Sequence, residues 1–147
     1  MMDIPNALIR EISLNFKAQF GKSPALLVFA PGRINLIGEH IDYNDGFVCP
    51  AAIDKYVGFA LGPSSTEKSI VQALDLEEEF HFDAQEDFQA DQHHWTNYIK
   101  GVLHQFSGRE IPPFQLVFRS SIPIGAGLSS SAALSCGFAY ALNEWTK

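Results

Sequence analysis

Apolar residues repeat with a helical period in three stretches of the chain. In residues 4–20 they recur at every fourth position, which predicts an amphipathic helix with Gly21 as a candidate C-cap. The same period in residues 94–106 predicts a second helix. Residues 129–145 are apolar nearly all round, which predicts a third helix that is buried.

Short apolar runs bounded by turn residues predict strands between these helices. "LLVFAPGR" predicts a buried strand at 26–29 that is broken by Pro31 and Gly32. "KYVGFAL", "SIVQAL", "EEFHF" and "FQLVFRS" predict further short strands. Because strands and helices mix without strict alternation, the expected class is α+β, or a mixed-sheet α/β, with the helices packed on one side of the sheet.

Composition excludes several classes of function. The 147 residues, 46% hydrophobic and 18% charged, suffice for one domain with a core. A net charge of −7 without a Lys/Arg block argues against binding to nucleic acid or to an anionic membrane. The N-terminus does not read as a signal peptide, and the two cysteines, Cys49 and Cys136, make no disulfide framework. We therefore expect a reduced, cytoplasmic protein.

A glycine-serine turn, "IPIGAGLSSSAA", joins a predicted strand to the third helix. Glycines let the backbone approach a ligand closely, and the first turn of a helix has unpaired N–H groups that favour an anion. This arrangement is typical of a phosphate cradle. It lacks the Gly-Lys-Ser/Thr of a Walker A loop and the third glycine of a dinucleotide fingerprint. A serine-capped buried helix after a glycine-rich turn therefore stays an alternative.

Polar residues are unusually dense in a second stretch, "APGRINLIGEHIDYNDGF". Arg33, Glu39, His40 and Asp42 follow a buried strand, where polar groups are costly unless they are paired or bind something. Carboxylates accept hydrogen bonds from hydroxyl groups, so a sugar or another polar ligand is one interpretation. A metal site and a structural turn are the others, although no HExxH or His/Cys cluster supports a metal.

Both stretches resemble motifs of the GHMP kinase superfamily and, within it, of the galactokinase family. "GRINLIGEHIDYNDGF" is similar to the galactokinase signature, "PIGAGLSSSAAL" to the superfamily's phosphate-binding motif, and "WTNYIKGV" to a galactokinase segment between them. The resemblance spans residues 20–145. It implies an incomplete N-terminal GHMP-kinase-type domain over 1–147, with a lead-in helix (1–25), a sugar-signature region (26–61) and a phosphate loop with its helix (114–146).

The resemblance implies a role for each matching residue of the sugar side. Arg33 would lie beside the transferring phosphoryl group, stabilise its charge and lower the pKa of a nearby carboxylate. Glu39, His40 and Asp42 would hold galactose hydroxyls. Ile41 stands where many galactokinases have threonine, so N-acetylgalactosamine stays an alternative substrate.

The resemblance likewise implies the ligands ATP and Mg²⁺. The residues that would wrap the ATP phosphates are Gly125, Gly127, Leu128, Ser129 and Ser130. Ser131 would ligate Mg²⁺, and Trp95 matches a residue near the adenine ring. The alternative for Trp95 is a core aromatic side chain of an amphipathic helix.

The implied reaction transfers the γ-phosphoryl group of ATP to the anomeric hydroxyl of D-galactose. The family's catalytic aspartate and its C-terminal domain match nothing in the 147 residues, so we expect the chain alone to be inactive and its uncovered apolar surface to self-associate. The full-length form is expected to be a monomer. A galactose/ATP-binding sensor without catalysis is the other alternative.

Overall fold

The computed structural model describes residues 6–38, 44–83, 86, 88–92, 94–123 and 125–147. In chain order the described residues form α1 (Asn6–Phe20), β1 (Leu26–Ile37), β2 (Cys49–Pro63), β3 (Ser69–Ala73), β4 (Glu78–Phe82), α2 (Thr96–Gln105), β5 (Phe114–Ser120) and α3 (Ser130–Trp145). The bounds of β4 and β5 coincide with the predicted strands "EEFHF" and "FQLVFRS".

The strands form a mixed sheet in the order β1-β2-β5-β3-β4. β3 runs parallel to β5, and the other neighbouring strands are antiparallel. The predicted mixed sheet is thus confirmed. Because β5 pairs with both β2 and β3, it carries the glycine-serine turn out from the middle of the sheet.

The expectation that the helices pack on one side of the sheet is wrong. Phe59 and Leu116 belong to the core that α2 and α3 cover, whereas Ala60 and Val117 pack against Ile12 of α1 on the opposite face. Alternate residues of a strand point to opposite faces, so a strand that is apolar at successive positions needs a cover on both. The unbroken run "YVGFAL" in β2 carried this signal.

The first strand also differs from its prediction, because it does not break at Pro31 and Gly32. β1 continues to Ile37, and its pairing with β2 shifts register between Pro31 and Arg33. β1 lies at the edge of the sheet, so one side of the strand has no hydrogen-bonded neighbour. Proline, which has no backbone N–H to donate, is tolerated there. The continuation brings Arg33 into the sheet beside β2.

α3 is buried on one face only, which corrects the prediction of a fully buried helix. Gly137 lies so close to the sheet that an added Cβ would clash with the Phe59 ring and lie 2.8 Å from the Cβ of Ala30. The outer face carries Cys136 and Tyr140, and Tyr140 is 59% exposed. This close contact fixes the direction of α3 and hence the position of its first turn.

Two of the broad expectations can be compared with the structure. Cys49 and Cys136 are both free and exposed. Among the described residues, no helix combines the length and the apolar composition needed to cross a bilayer.

Candidate active site

Arg33 joins the two motifs that the sequence keeps far apart. Its Nε and Nη2 atoms donate hydrogen bonds to Ser129 Oγ at 3.1 and 2.9 Å, and its Nη1 atom donates to Asn35 Oδ1 at 2.9 Å. The backbone N–H of Arg33 donates to the carbonyl oxygen of Leu128 at 3.2 Å. Side chain and backbone of one residue therefore attach β1 to the start of α3.

Gly32 makes this close approach possible. A Cβ atom at this position would lie 2.9 Å from the carbonyl oxygen of Leu128 and 3.1 Å from the Cδ1 atom of Ile53. The obstructing oxygen belongs to the backbone and cannot rotate away. The glycine thus serves the contact between strand and loop.

The loop that precedes α3 has a left-handed backbone at three positions. Gly125 and Gly127 have φ angles of 74° and 68°, and Ser129 has φ 59° and ψ 38°. Serine rarely takes this conformation, which costs about 1–3 kcal/mol at such sites. A Cβ added at Gly125 or Gly127 would meet no atom within 4 Å, so the loop backbone borders open space among the described residues.

The start of α3 is not closed by a serine cap. Among the described residues, no side-chain hydrogen bond caps the helix at Ser129, whose hydroxyl accepts from Arg33 instead. The alternative of a serine that merely caps a buried helix therefore does not describe Ser129. Ser130 is half-buried and Ser131 exposed in the first turn. Their hydroxyls and the first amides make a donor-rich end that suits an anion.

A cavity of about 750 Å³ extends from this helix start to α2. Ser130 and Ser131 line it together with Trp95, and apolar side chains such as Phe118 and Leu134 form part of its wall. The structure thus brings Ser130, Ser131 and Trp95 to one cavity, whereas the other predicted phosphate residues, Gly125, Gly127, Leu128 and Ser129, do not line it. Its volume falls in the range of small-molecule sites, which is about 300–1,000 Å³.

Trp95 packs into the core and also borders the cavity. Its half-buried ring packs edge-on against Phe118 with centroids 5.4 Å apart, and its Nε1 atom donates to Glu78 Oε2 at 2.5 Å. The ring also lines the cavity. It is therefore a core contact and a wall of the candidate site at once.

Sequence reasoning missed the acidic end of this cavity. Asp75 lines it beside Ser120, and Glu78 and His94 line it beside Trp95. They come from the turn between β3 and β4, from β4, and from the segment before α2, so no local spacing joins them. The one indication in the sequence was that His94 directly precedes the "WTNY" segment.

The predicted sugar residues Glu39, His40 and Asp42, and Ile41 beside them, lie outside the described residues. Within the described ranges, no group of three or more His, Cys, Asp or Glu side chains is placed to hold a metal ion.

Two family models match the chain on the segments that Arg33 joins. The model described as "Galactokinase galactose-binding signature" matches residues 14–63, and that described as "GHMP kinases N terminal domain" matches residues 97–147. The first range contains Arg33 and the second contains the glycine-serine loop. Their order is that of the motifs in the sequence.

Curated relatives are similar over most of this chain but over only part of their own length. The galactokinase of Actinobacillus pleuropneumoniae serotype 5b is 43% identical over 125 residues, 81% of this chain and 32% of that protein. The galactokinase of Thermosipho africanus is 46% identical over 120 residues, 80% of this chain and 32% of that protein. The chain spans about a third of the length of the curated relatives it matches.

Solved structures show the same fold. Lactococcus lactis galactokinase complexed with galactose superposes with a TM-score of 0.79 at 32% identity, over 93% of this chain and 37% of that one. Methanococcus jannaschii mevalonate kinase aligns over 81% of this chain and 39% of its own length, at 22% identity and a TM-score of 0.70. It is similar in fold alone. The resemblance noted in the motifs is confirmed, and the chain belongs to the galactokinase family of the GHMP kinase superfamily.

Proposed function

We propose that this chain carries the sugar- and nucleotide-recognition part of a galactokinase, which transfers the γ-phosphoryl group of ATP to the anomeric hydroxyl of D-galactose. The observation that carries the proposal is the junction of Arg33 with Ser129, which unites the galactose-binding signature with the phosphate loop. The related Lactococcus lactis galactokinase was solved as a complex with galactose, which supports this sugar.

The charges around the cavity orient the nucleotide. The Glu78 carboxylate lies beside Trp95, whereas Ser130 and Ser131 lie at the start of α3. Phosphates are repelled by carboxylates and attracted to the N-terminus of a helix. ATP therefore binds with its base at the Trp95 end and its phosphates at the serine end.

The loop residues fit a triphosphate with its metal ion. Gly125 and Gly127 leave open space beside the backbone, as a phosphate cradle requires. Gly125, Gly127, Leu128, Ser129 and Ser130 hold the phosphates in this proposal. The hydroxyl oxygen of Ser131, exposed in the first turn of α3, is a hard ligand of the kind that Mg²⁺ accepts. When bound, Mg²⁺ supplies positive charge that offsets the charge of the phosphates.

Arg33 stabilises the charge that develops during the transfer. Three hydrogen bonds to Ser129 and Asn35 hold its guanidinium group in place before a substrate arrives. Preorganised donors of this kind contribute most when they need no rearrangement in the transition state. Glu39, His40 and Asp42 bind the galactose hydroxyls, a role taken from the matched signature.

The transfer itself belongs to the product of the full reading frame that contains these residues. No position of the 147 residues matches the family's catalytic aspartate, so the chain supplies recognition and charge stabilisation. A cytoplasmic location and a monomeric full-length form stay predictions, as does self-association of residues 1–147 alone.

The test is a phosphorylation assay on the product of the full reading frame. We expect ATP-dependent formation of galactose 1-phosphate and a preference for galactose over N-acetylgalactosamine. Arg33→Lys is expected to lower kcat by about 10²-fold with little change in either KM, because lysine cannot reproduce the forked contact. Arg10→Lys, the same change at an exposed position of α1, is the matched control. Folded protein that forms no galactose 1-phosphate would overturn the proposal.

A further inference from the structure

We propose that Glu78 is a positioning residue for the nucleobase, because its carboxylate fixes the indole ring of Trp95 in the cavity wall. This inference rests on the proposed function, since it concerns the base end of the same nucleotide site. Glu78 lies on β4, outside every motif of the sequence.

The indole ring is held from two sides. Glu78 Oε2 accepts the hydrogen bond from Trp95 Nε1 at 2.5 Å, and Phe118 contacts the ring in a T-shaped arrangement. The indole N–H is the only hydrogen-bond donor of a tryptophan side chain. Without its acceptor the ring keeps the packing against Phe118 but loses the contact that selects its orientation.

Glu78 is itself attached to the sheet through the turn between β3 and β4. It pairs with Ala73 across this turn. Asp75 in the turn accepts a hydrogen bond from the backbone N–H of Ser120 at 2.7 Å and forms an ion pair with Arg119, whose Nε lies 3.2 Å from Oδ1. Arg119 also forms an ion pair with Glu11 of α1. The carboxylate that holds Trp95 is therefore anchored to β5 and, through it, to the helix on the far face.

A second contact ties Glu78 to the segment before α2. The same Oε2 atom lies 3.2 Å from His94 Nε2, and His94 Nδ1 lies 2.9 Å from Thr96 Oγ1. Glu78 thus orients two consecutive residues of the cavity wall. Glu78 and the Arg33–Ser129 junction have no hydrogen-bond partner in common within the described part of the chain. We therefore expect Glu78 to act on nucleotide binding and not on the transfer.

The test uses the product of the full reading frame in a Trp145→Phe background. This substitution leaves Trp95 as the one tryptophan among these 147 residues, so that its fluorescence can be followed. Glu78→Ala is expected to raise KM for ATP about tenfold, with kcat and KM for galactose within about twofold, and to lower the anisotropy of Trp95. Glu78→Met, which keeps the bulk but not the oxygens, should behave alike.

Two further variants separate the hydrogen bond from the charge. Glu78→Gln removes the charge but keeps an acceptor, so it should recover most of the ATP affinity and of the Trp95 anisotropy. If charge repulsion of the phosphates were the main effect, Glu78→Gln would bind ATP more tightly than the native protein. Glu79→Ala is the matched control, because the Glu79 carboxylate contacts Gln19 and His81 instead. This variant should leave every parameter unchanged.

Trp95→Leu distinguishes failure of this inference from failure of the proposed function. If Trp95→Leu leaves KM for ATP unchanged, the nucleotide assignment of the cavity is wrong. If Trp95→Leu raises KM for ATP but Glu78→Ala does not, only the role of Glu78 is wrong. Failure of both Glu78→Ala and Glu78→Met to fold would make Glu78 a structural residue and would also overturn the inference.

Discussion

The two helices that border the cavity begin in opposite ways. Before α2, Asp91 Oδ2 accepts hydrogen bonds from Lys100 at 2.5 Å and from the Thr96 hydroxyl at 3.1 Å. At α3, the available hydroxyl of Ser129 accepts from Arg33 and makes no cap. The first amides of α2 also find acceptors in the preceding segment, on His94 and Trp95, whereas the start of α3 is left open beside a cavity.

This difference separates scaffold from site within one fold. Helix ends carry unpaired backbone groups, which a protein normally satisfies with caps. Before α2, the amides of Thr96 and Asn97 donate to Nδ1 and to the carbonyl oxygen of His94, so this helix start serves stability. Where the serine hydroxyl accepts from another element and the loop borders open space, the first amides of the helix remain for a ligand. The open start of α3 thus agrees with the phosphate-binding role proposed for this loop.

An open start requires that the rest of the helix be held by packing. α3 meets this condition at Gly137, which lies against Phe59 and Ala30, and at Phe138, Ala141 and Leu142, which are buried. These contacts lie beyond the first turn of the helix. The comparison therefore predicts that substitutions in the body of α3 affect folding, whereas those before its first turn affect binding.

The largest expected effect is that of Gly137→Ala. The added Cβ would overlap the fully buried Phe59 ring, and overpacking of this kind costs about 1–3 kcal/mol of unfolding free energy. The free energy of unfolding is measured by urea denaturation of the chain. Gly101→Ala in α2 is the matched control, since a Cβ there meets no atom within 4 Å and alanine favours an exposed helix by about 1 kcal/mol. A Gly137→Ala variant as stable as Gly101→Ala would show that packing does not hold α3.

Gly127→Ala tests the open start itself. At φ 68° an alanine costs about 1–2 kcal/mol, but no protein atom lies within 4 Å of its Cβ. We expect ATP affinity, measured by titration calorimetry, to fall further than this loss of stability explains. Gly108→Ala, at φ 85° and likewise without a neighbour, should show the same strain with unchanged affinity. Equal affinities of the two variants would contradict a ligand at the loop.

The sequence predicted most elements because their local patterns are unambiguous. Helical spacing of apolar residues located α1 and α2, and short apolar runs located β4 and β5. The errors arose where tertiary position decides. Pro31 is tolerated in β1 because that strand is an edge, and β2 requires helices on both faces because its neighbours bury both. The edge position of β1 cannot be read from a local window, whereas the unbroken apolar run of β2 did indicate a cover on both faces.

The candidate site divides in the same way. The motifs around Arg33 and Ser129 could be recognised in the sequence because their functional residues are contiguous. Glu78 and Asp75 were not visible, since single carboxylates on separate elements resemble ordinary surface charges. The positions of Glu78 beside Trp95 and of Asp75 beside Ser120 follow only from the pairing of β3 with β4 and with β5.

The smallest expected effect is at the closed start, where Asp91→Asn weakens the side-chain network before α2. The Lys100 ammonium, followed by the Thr96 hydroxyl, holds the pKa of the Asp91 carboxyl below its ordinary value of 3.8. A lowered pKa in the folded state contributes stability that is present above the unfolded value and is lost as the pH falls through the folded value.

The native protein should therefore melt slightly above Asp91→Asn at about pH 7, and the two melting temperatures should converge at a pH well below 3.8. The effect is small because the Asp91 side chain is 54% exposed and water screens the ion pair. Asp54→Asn, at an exposed position whose side chain forms no ion pair within the described residues, is the control and should melt with the native protein at both pH values. A gap between the native protein and Asp91→Asn that persists at the lower pH would mean that the network depends on the shape of Asp91 and not on its charge. The start of α2 would then be held as α3 is, by packing, and the contrast between the two helix starts would rest on Ser129 alone.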